Sequence, residues 1–88
     1  MRYRSRTDIV SQILEAANGG TTKTKIMYKA YLSYAQLKEY LSMMLENGLI
    51  KHERETNSYK TTEKGLKFIQ AYNHMDSLTG PMTAQIQE

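Results

Sequence analysis

Cysteine is absent from this 88-residue chain, which excludes disulfides and thiolate metal sites. No run approaches the roughly 20 apolar residues that a membrane span needs. The opening MRYRSRTDIV is basic but lacks the long apolar segment of a signal peptide, so an intracellular, cytoplasmic protein is expected. Catalytic signatures are missing as well. There is no glycine-rich phosphate loop, no Ser-His-Asp arrangement and no pair of carboxylates in an apolar context. His52 and His74 stand apart, without other ligands at useful spacing, so neither a metal nor a cofactor is expected and no enzyme is read here. A chain of this length makes one domain, able to bury a three-helix core but with little room for a substrate pocket. Proline occurs once, and Gly80-Pro81 is expected to stop the last helix by about Leu78.

Most of the information lies in TKIMYKAYLSYAQLKEYLSMMLENGLI, residues 24–50. The stretch reads as a short helix, a tight turn at Tyr31-Leu32, a longer helix, and a glycine stop leading into an apolar strand. Ser33 stands where an N-cap oxygen is wanted, with Gln36 three residues on to complete a capping box. Gly48 falls where a left-handed residue closes a helix, and Leu49 follows as the apolar contact of a Schellman-type stop. Two helices joined by so short a turn, the second feeding a β-hairpin, describe a helix-turn-helix with a wing. Such a unit usually presents its second helix to DNA.

The remaining elements follow from capping and periodicity. The first helix is expected from Ser5, with Asp8 completing a capping box and Ile9, Val10, Ile13, Leu14 and Ala17 forming an apolar stripe. Asn18-Gly19-Gly20 ends it. The second begins near Thr22 and turns Ile26, Met27 and Ala30 inward. The third spans Tyr34 to Asn47, buries Leu37, Leu41, Met44 and Leu45, and points Ala35, Glu39, Ser42 and Glu46 outward. A strand from Leu49 to about Glu55, a turn at Thr56-Asn57 and a returning strand over Ser58–Thr61 make the hairpin. Thr62 caps a final helix running through Leu66, Phe68, Ile69, Tyr72 and Met75. The expected fold is mainly α with a small β-hairpin, a three-helix core plus wing and C-terminal helix. One domain covers residues 1–78, with a basic arm at 1–5 and a flexible tail at 79–88.

The positive charge is unevenly placed. Up to Lys38 there are seven basic residues against two acidic ones, whereas the rest of the chain has five against seven. A basic arm and helix-turn-helix suit a phosphate-facing surface. Lys23 and Lys25 fall in the first turn of helix two, where the macrodipole opposes cations. Phosphates would relieve that repulsion, and the hydroxyls of Thr22 and Thr24 add donors on the same turn. Ser33, Tyr34 and Gln36 open the recognition helix. Gln36 is suited to adenine and Tyr34 to phosphates or base edges, although Ser33 and Gln36 equally make a cap. Lys38 is the only cation on that helix and Glu39 faces outward, so modest sequence specificity is expected. At the wing tip Arg54, Asn57, Ser58 and Lys60 could clamp the adjacent backbone or minor groove. Arg2, Arg4 and Arg6 could enter a minor groove or merely face solvent.

IMYKAYLSYAQLKEYLSMMLENGLI followed by YKTTEKG resembles the archaeal winged helix-turn-helix proteins of the ArnR-like type, over roughly residues 7–75. The most specific portions are Ile26-Met27-Tyr28-Lys29-Ala30, Leu32-Ser33-Tyr34 and Thr62-Glu63-Lys64-Gly65. The group includes small chromatin-associated DNA-binding proteins and transcriptional regulators. The resemblance implies double-stranded DNA as partner, a nucleoid-associated location, and dimerisation through an extended C-terminal helix. Phe68, Tyr72 and Met75, at i, i+4 and i+7, form an apolar stripe suited to that seam. The rival expectation is a winged-helix module for protein–protein interaction within a larger assembly, since this fold hosts both roles.

Overall fold

Every early turn of helix in this chain is started by a hydroxyl. In the computed structural model, which describes residues 4–87 and, beyond residue 75, only the side chain of Leu78, α1 spans Arg6–Ala16. Ser5 Oγ accepts from Asp8 N–H at 3.0 Å, and Asp8 Oδ2 accepts from Ser5 N–H at 3.0 Å, closing the expected capping box. Thr22 caps α2 (Lys23–Lys29), and Ser33 with Gln36 caps α3 (Tyr34–Glu46) in a second capping box. Thr62 Oγ1 accepts from Gly65 N–H at 3.1 Å in the first turn of α4 (Glu63–Gln87). Each cap satisfies a backbone donor that the helix itself leaves orphaned.

The helix ends are equally local. Leu49 N–H donates to Met44 carbonyl at 2.9 Å and Gly48 N–H to Leu45 carbonyl at 3.1 Å, the two bonds of a Schellman stop, with Gly48 at φ +72°. Asn47 Nδ2 and Lys64 Nζ occupy further carbonyls at this end, those of Met43 and Asn47.

Ile13, Leu14, Ile26, Leu37, Met44 and Ile50 are fully buried at the centre, drawn from α1, α2, α3 and β1. Each contributes about 1.5–3 kcal/mol of transfer free energy on burial. β1 (Ile50–Glu53) pairs antiparallel with β2 (Ser58–Thr61) in the register Ile50↔Thr61 to Glu53↔Ser58. Thr21 adds a short third pairing to Tyr59 through two backbone bonds of 2.7 and 2.9 Å, a feature the sequence pattern does not announce. Thr61 locks the hairpin to α1: its N–H donates to Ala17 carbonyl at 3.1 Å and its hydroxyl to Leu14 carbonyl at 2.6 Å. These bonds fix the wing relative to the helices.

Several expectations are corrected. The wing turn is the four residues Arg54–Asn57 rather than Thr56-Asn57, because Glu53 already pairs with Ser58. Asn57 N–H closes the turn on Arg54 carbonyl at 3.2 Å, and Asn57 takes φ +49°, which asparagine tolerates. The last helix does not stop by Leu78 but runs through Gly80 and Pro81 to Gln87, so residues 79–87 are helical. A proline removes one hydrogen bond and bends a helix, and the following MTAQIQ is rich in residues that favour continuing it. At 25 residues α4 is about 37 Å long, and the molecule measures 50 × 27 × 19 Å. Leu45 is 39% exposed rather than core, because the adjacent Met44 takes the inward position of the last turn of α3 and Leu45 lies about 100° round the helix from it. On α4 the core-facing residues are Ile69 and, in part, Phe68, while Leu66 is 37% exposed.

Candidate nucleic-acid interface

The starts of α2 and α3 meet at one corner. Lys23 Nζ lies 5.3 Å from the centroid of the Tyr34 ring, over its face. A cation there is attracted by the ring quadrupole, so each side chain restrains the other. Tyr34 is nevertheless 56% exposed. Beside this corner an open groove of about 210 Å³ is lined by Lys23, Lys38, Leu41, Ser42, Leu45 and Tyr59. A second groove, about 490 Å³, runs from the start of α2 to the wing tip between Thr22, Lys23, Thr24, Thr56, Asn57 and Tyr59. Lys23 and Tyr59 wall both. The surface therefore has a recognition-helix wall, a wing wall, and lysines and hydroxyls between them. Ser42, Leu45 and Tyr59 carry no nucleic-acid signature in the sequence, although Lys38, Ser42 and Leu45 stand at the helical spacing i, i+4 and i+7.

Several expected contact residues are already engaged within the domain. Ser33 Oγ accepts from Gln36 N–H at 3.2 Å, and Gln36 Oε1 accepts from Ser33 N–H at 2.9 Å. Bidentate reading of adenine needs that same Gln36 oxygen, so the cap holds the amide in an orientation set by Ser33 rather than by a base. At the wing, His52 Nε2 and Asn57 Oδ1 are 2.9 Å apart, and the His52 ring lies 4.7 Å from that of Tyr59. Asn57 thus stiffens the wing tip. Arg54 and Lys60 remain exposed there, and Ser58 is half-buried with its hydroxyl 2.6 Å from that of Thr56.

Among the described residues, Arg4 of the expected basic arm, and Arg6 after it, are held against the domain. Arg4 donates to the carbonyls of Ala30 and Tyr31 and to Gln12, stitching the start of α1 to the end of α2. Arg6 stacks its guanidinium 5.2 Å from the Tyr40 ring centroid. Arg2 lies outside the described residues. Free carbonyls at a helix C-terminus attract a cation, and this local attraction holds Arg4 against the domain.

The stripe on α4 divides. Phe68 packs partly against the core, and the Tyr72 hydroxyl donates to Asp8 Oδ1, on the carboxylate that also caps α1. These two therefore have partners within the chain that the linear pattern did not suggest. Met75 and, one turn on, Leu78 are 65% and 57% exposed. Among the described residues, no helix is long and apolar enough to cross a membrane. Nor do three or more His, Cys, Asp or Glu side chains among them gather as metal ligands.

A three-helix core with a two-stranded wing and a capped second helix at an exposed basic corner defines a winged helix-turn-helix protein. The chain belongs to the winged helix-turn-helix family, whose sequence profile matches residues 3–80. It is 35% identical over 68 residues to MJ0287, an uncharacterized protein of Methanocaldococcus jannaschii, a match covering 75% of this chain and 68% of that one. Its fold is similar to the crystal structure of Sso10a-2, a DNA-binding protein from Sulfolobus solfataricus. The TM-score is 0.81, with 96% of this chain and 90% of that chain covered at 22% identity, a likeness of fold. Both relatives are archaeal, in line with the resemblance read from the IMYKA and TTEKG segments.

Proposed function

We propose that this chain binds double-stranded DNA, with α3 entering the major groove and the start of α2 and the wing holding phosphates. The observation that carries the reading is the corner where Lys23 lies over Tyr34 and shares a groove with Lys38. This places two cations and an exposed phenol at the leading end of the recognition helix, where a helix-turn-helix meets the duplex. Thr24, at the wing-side groove, and Arg54 and Lys60, on the wing, extend the phosphate-facing surface. The neighbour Sso10a-2, described as a DNA-binding protein, supports the reading through its fold.

Sequence discrimination is modest in this reading. Ser33 and Gln36 are committed to the cap, α3 has no arginine for guanine, and Glu39 faces outward. A chromatin or broadly acting regulatory role fits such a surface better than a single-operator switch. The chain also pairs with a second copy through α4. Phe68, Ala71, Met75 and Leu78 follow a 3-4-3 spacing, and the 25-residue length gives that seam more reach than a helix ending at Leu78. A two-fold pair would present two copies of α3 to successive major grooves, about 34 Å apart.

The test is a duplex titration at several salt concentrations with random and selected sequences. A steep fall in affinity with salt, only weakly dependent on sequence, is expected. Salt-insensitive behaviour, or no duplex binding, would instead favour a protein-interaction module using the exposed Met75 and Leu78.

A further inference from the structure

Two helices of this chain end in the same hydrogen-bond pattern, but with different residues at the critical position. At the end of α3 the left-handed residue is Gly48. At the end of α2, Leu32 N–H donates to Met27 carbonyl at 3.1 Å and Tyr31 N–H to Tyr28 carbonyl at 3.3 Å, which puts Tyr31 in the glycine's place at φ +53°. A bulky residue is penalised in this conformation, and helix-turn-helix turns often contain glycine. The Tyr31 ring recovers nothing by packing, since it is 83% exposed. Stability alone would favour glycine here. Arg4 further holds the corner in place by donating to Tyr31 carbonyl at 2.9 Å.

The surroundings indicate what the ring is for. Tyr28 is 70% exposed, and Lys25 and Lys29 are exposed beside it at i−3 and i+1. At about 100° per residue from the buried Ile26, Lys25 and Lys29 lie on one flank of α2 and Lys23 on the other. The helix, KTKIMYK, has no acidic residue. One flank thus serves the groove toward α3 and the wing, while the other carries lysines beside open phenol faces. Duplex bases are stacked and hide their π-faces, so an exposed ring gains little from them. Unpaired bases offer those faces, and their phosphates complement the lysines.

We propose that Lys25, Tyr28, Lys29 and Tyr31 form a second nucleic-acid site, for single strands, with bases stacked on the two tyrosines and phosphates held by the two lysines. The site lies on the flank of α2 away from Lys23 and the duplex groove, so Lys25, expected from the sequence to face duplex phosphates, serves single strands instead, and the two ligands are titrated independently.

The experiment measures fluorescence anisotropy of labelled oligothymidylate and oligouridylate of about 16 nucleotides, an abasic strand of equal length, and a duplex. The unaltered protein should bind one or both pyrimidine strands more tightly than the abasic strand, and the tighter of the two identifies DNA or RNA as the source. Tyr31→Gly should lower single-strand affinity roughly five- to 150-fold, the range for loss of one stacked base. Its unfolding midpoint should match or exceed that of the unaltered protein, since glycine relieves the backbone, and duplex affinity should stay within about twofold. Tyr28→Ala should weaken single-strand binding similarly. Unchanged single-strand affinity in both variants, an equal loss on the duplex, or abasic binding as tight as oligothymidylate would each overturn the site. So would no single-strand binding at all.

Discussion

Gly65 shows how much a single position can constrain. It lies in the first turns of α4, and a Cβ there would sit 2.3 Å from Leu49 carbonyl oxygen and 2.7 Å from Thr61 Cγ2. Alanine would gain about 1 kcal/mol in helix propensity, but a backbone oxygen cannot swing aside as a side chain can. With the clash against backbone, overpacking should reach the upper part of its usual range, about 2–3 kcal/mol, so Gly65→Ala is expected to destabilise the domain by about 1–2 kcal/mol. In a thermal melt this is a fall of about 4–8 °C per kcal/mol for a domain of this size. An unchanged melting temperature would mean that α4 is free to move off the hairpin. Thr62 is the companion case. Its hydroxyl accepts from Gly65 N–H and donates to Gly48 carbonyl at 2.6 Å, joining the start of α4 to the end of α3. Thr62→Ala should cost about 1–2 kcal/mol in urea unfolding, whereas Thr62→Ser should restore most of it.

At the scale of elements, each lysine of α2 belongs to one of its two flanks. If Lys23 and Lys38 face duplex phosphates, replacing both by alanine should weaken random and selected duplexes alike. The log–log salt slope should flatten by up to about 0.9 per lost contact. Equal slopes before and after would take the α2–α3 corner out of the duplex interface. Tyr34→Ala should instead change sequence preference more than slope. The other element-scale question concerns Pro81. It supplies no N–H within a helix that continues to Gln87, so Pro81→Ala should restore one backbone bond and deepen the helical circular-dichroism signal. A helix that really stopped by Leu78 would leave that signal unaltered.

For the whole molecule, the question is whether α4 works alone. Phe68 packs partly against the core and Tyr72 donates to Asp8 on α1, so the seam should depend chiefly on Met75 and Leu78. Met75→Glu with Leu78→Glu should therefore turn a dimer into a monomer without unfolding the domain. Sedimentation equilibrium at tens of micromolar decides it. A monomer mass in the unaltered protein would dismiss the pairing and leave the two exposed side chains to another partner. Tyr72→Glu is a different probe. It removes the hydroxyl that donates to Asp8, so it should lower the stability of the α1–α4 packing and not only the mass.

What the sequence by itself determined was whatever depends on residues a few positions apart. The capping boxes of Ser5-Asp8 and Ser33-Gln36, the caps at Thr22 and Thr62, and the glycine stop at Gly48 are short-range hydrogen bonds, legible from spacing alone. The buried positions Ile13, Leu14, Ile26, Leu37, Leu41 and Met44 were legible for the same reason, since a helix repeats its inward face every three or four residues. What only the tertiary structure decided depends on which distant groups meet. Arg4 looked like part of a free arm until the end of α2 supplied carbonyls for it, and Tyr72 looked unpartnered until Asp8 was brought beneath it. The path of α4 through Gly80-Pro81 is not legible locally, because a stop signal there competes with the helix-forming residues on its far side. The candidate site was legible only in part. Lys23, Tyr34 and Lys38 were named from their place in the motif, but their grouping with Ser42, Leu45 and Tyr59 required the wing to be folded against α3. Linear patterns carry local hydrogen bonding and periodicity, whereas a surface is made where separate elements close on one another.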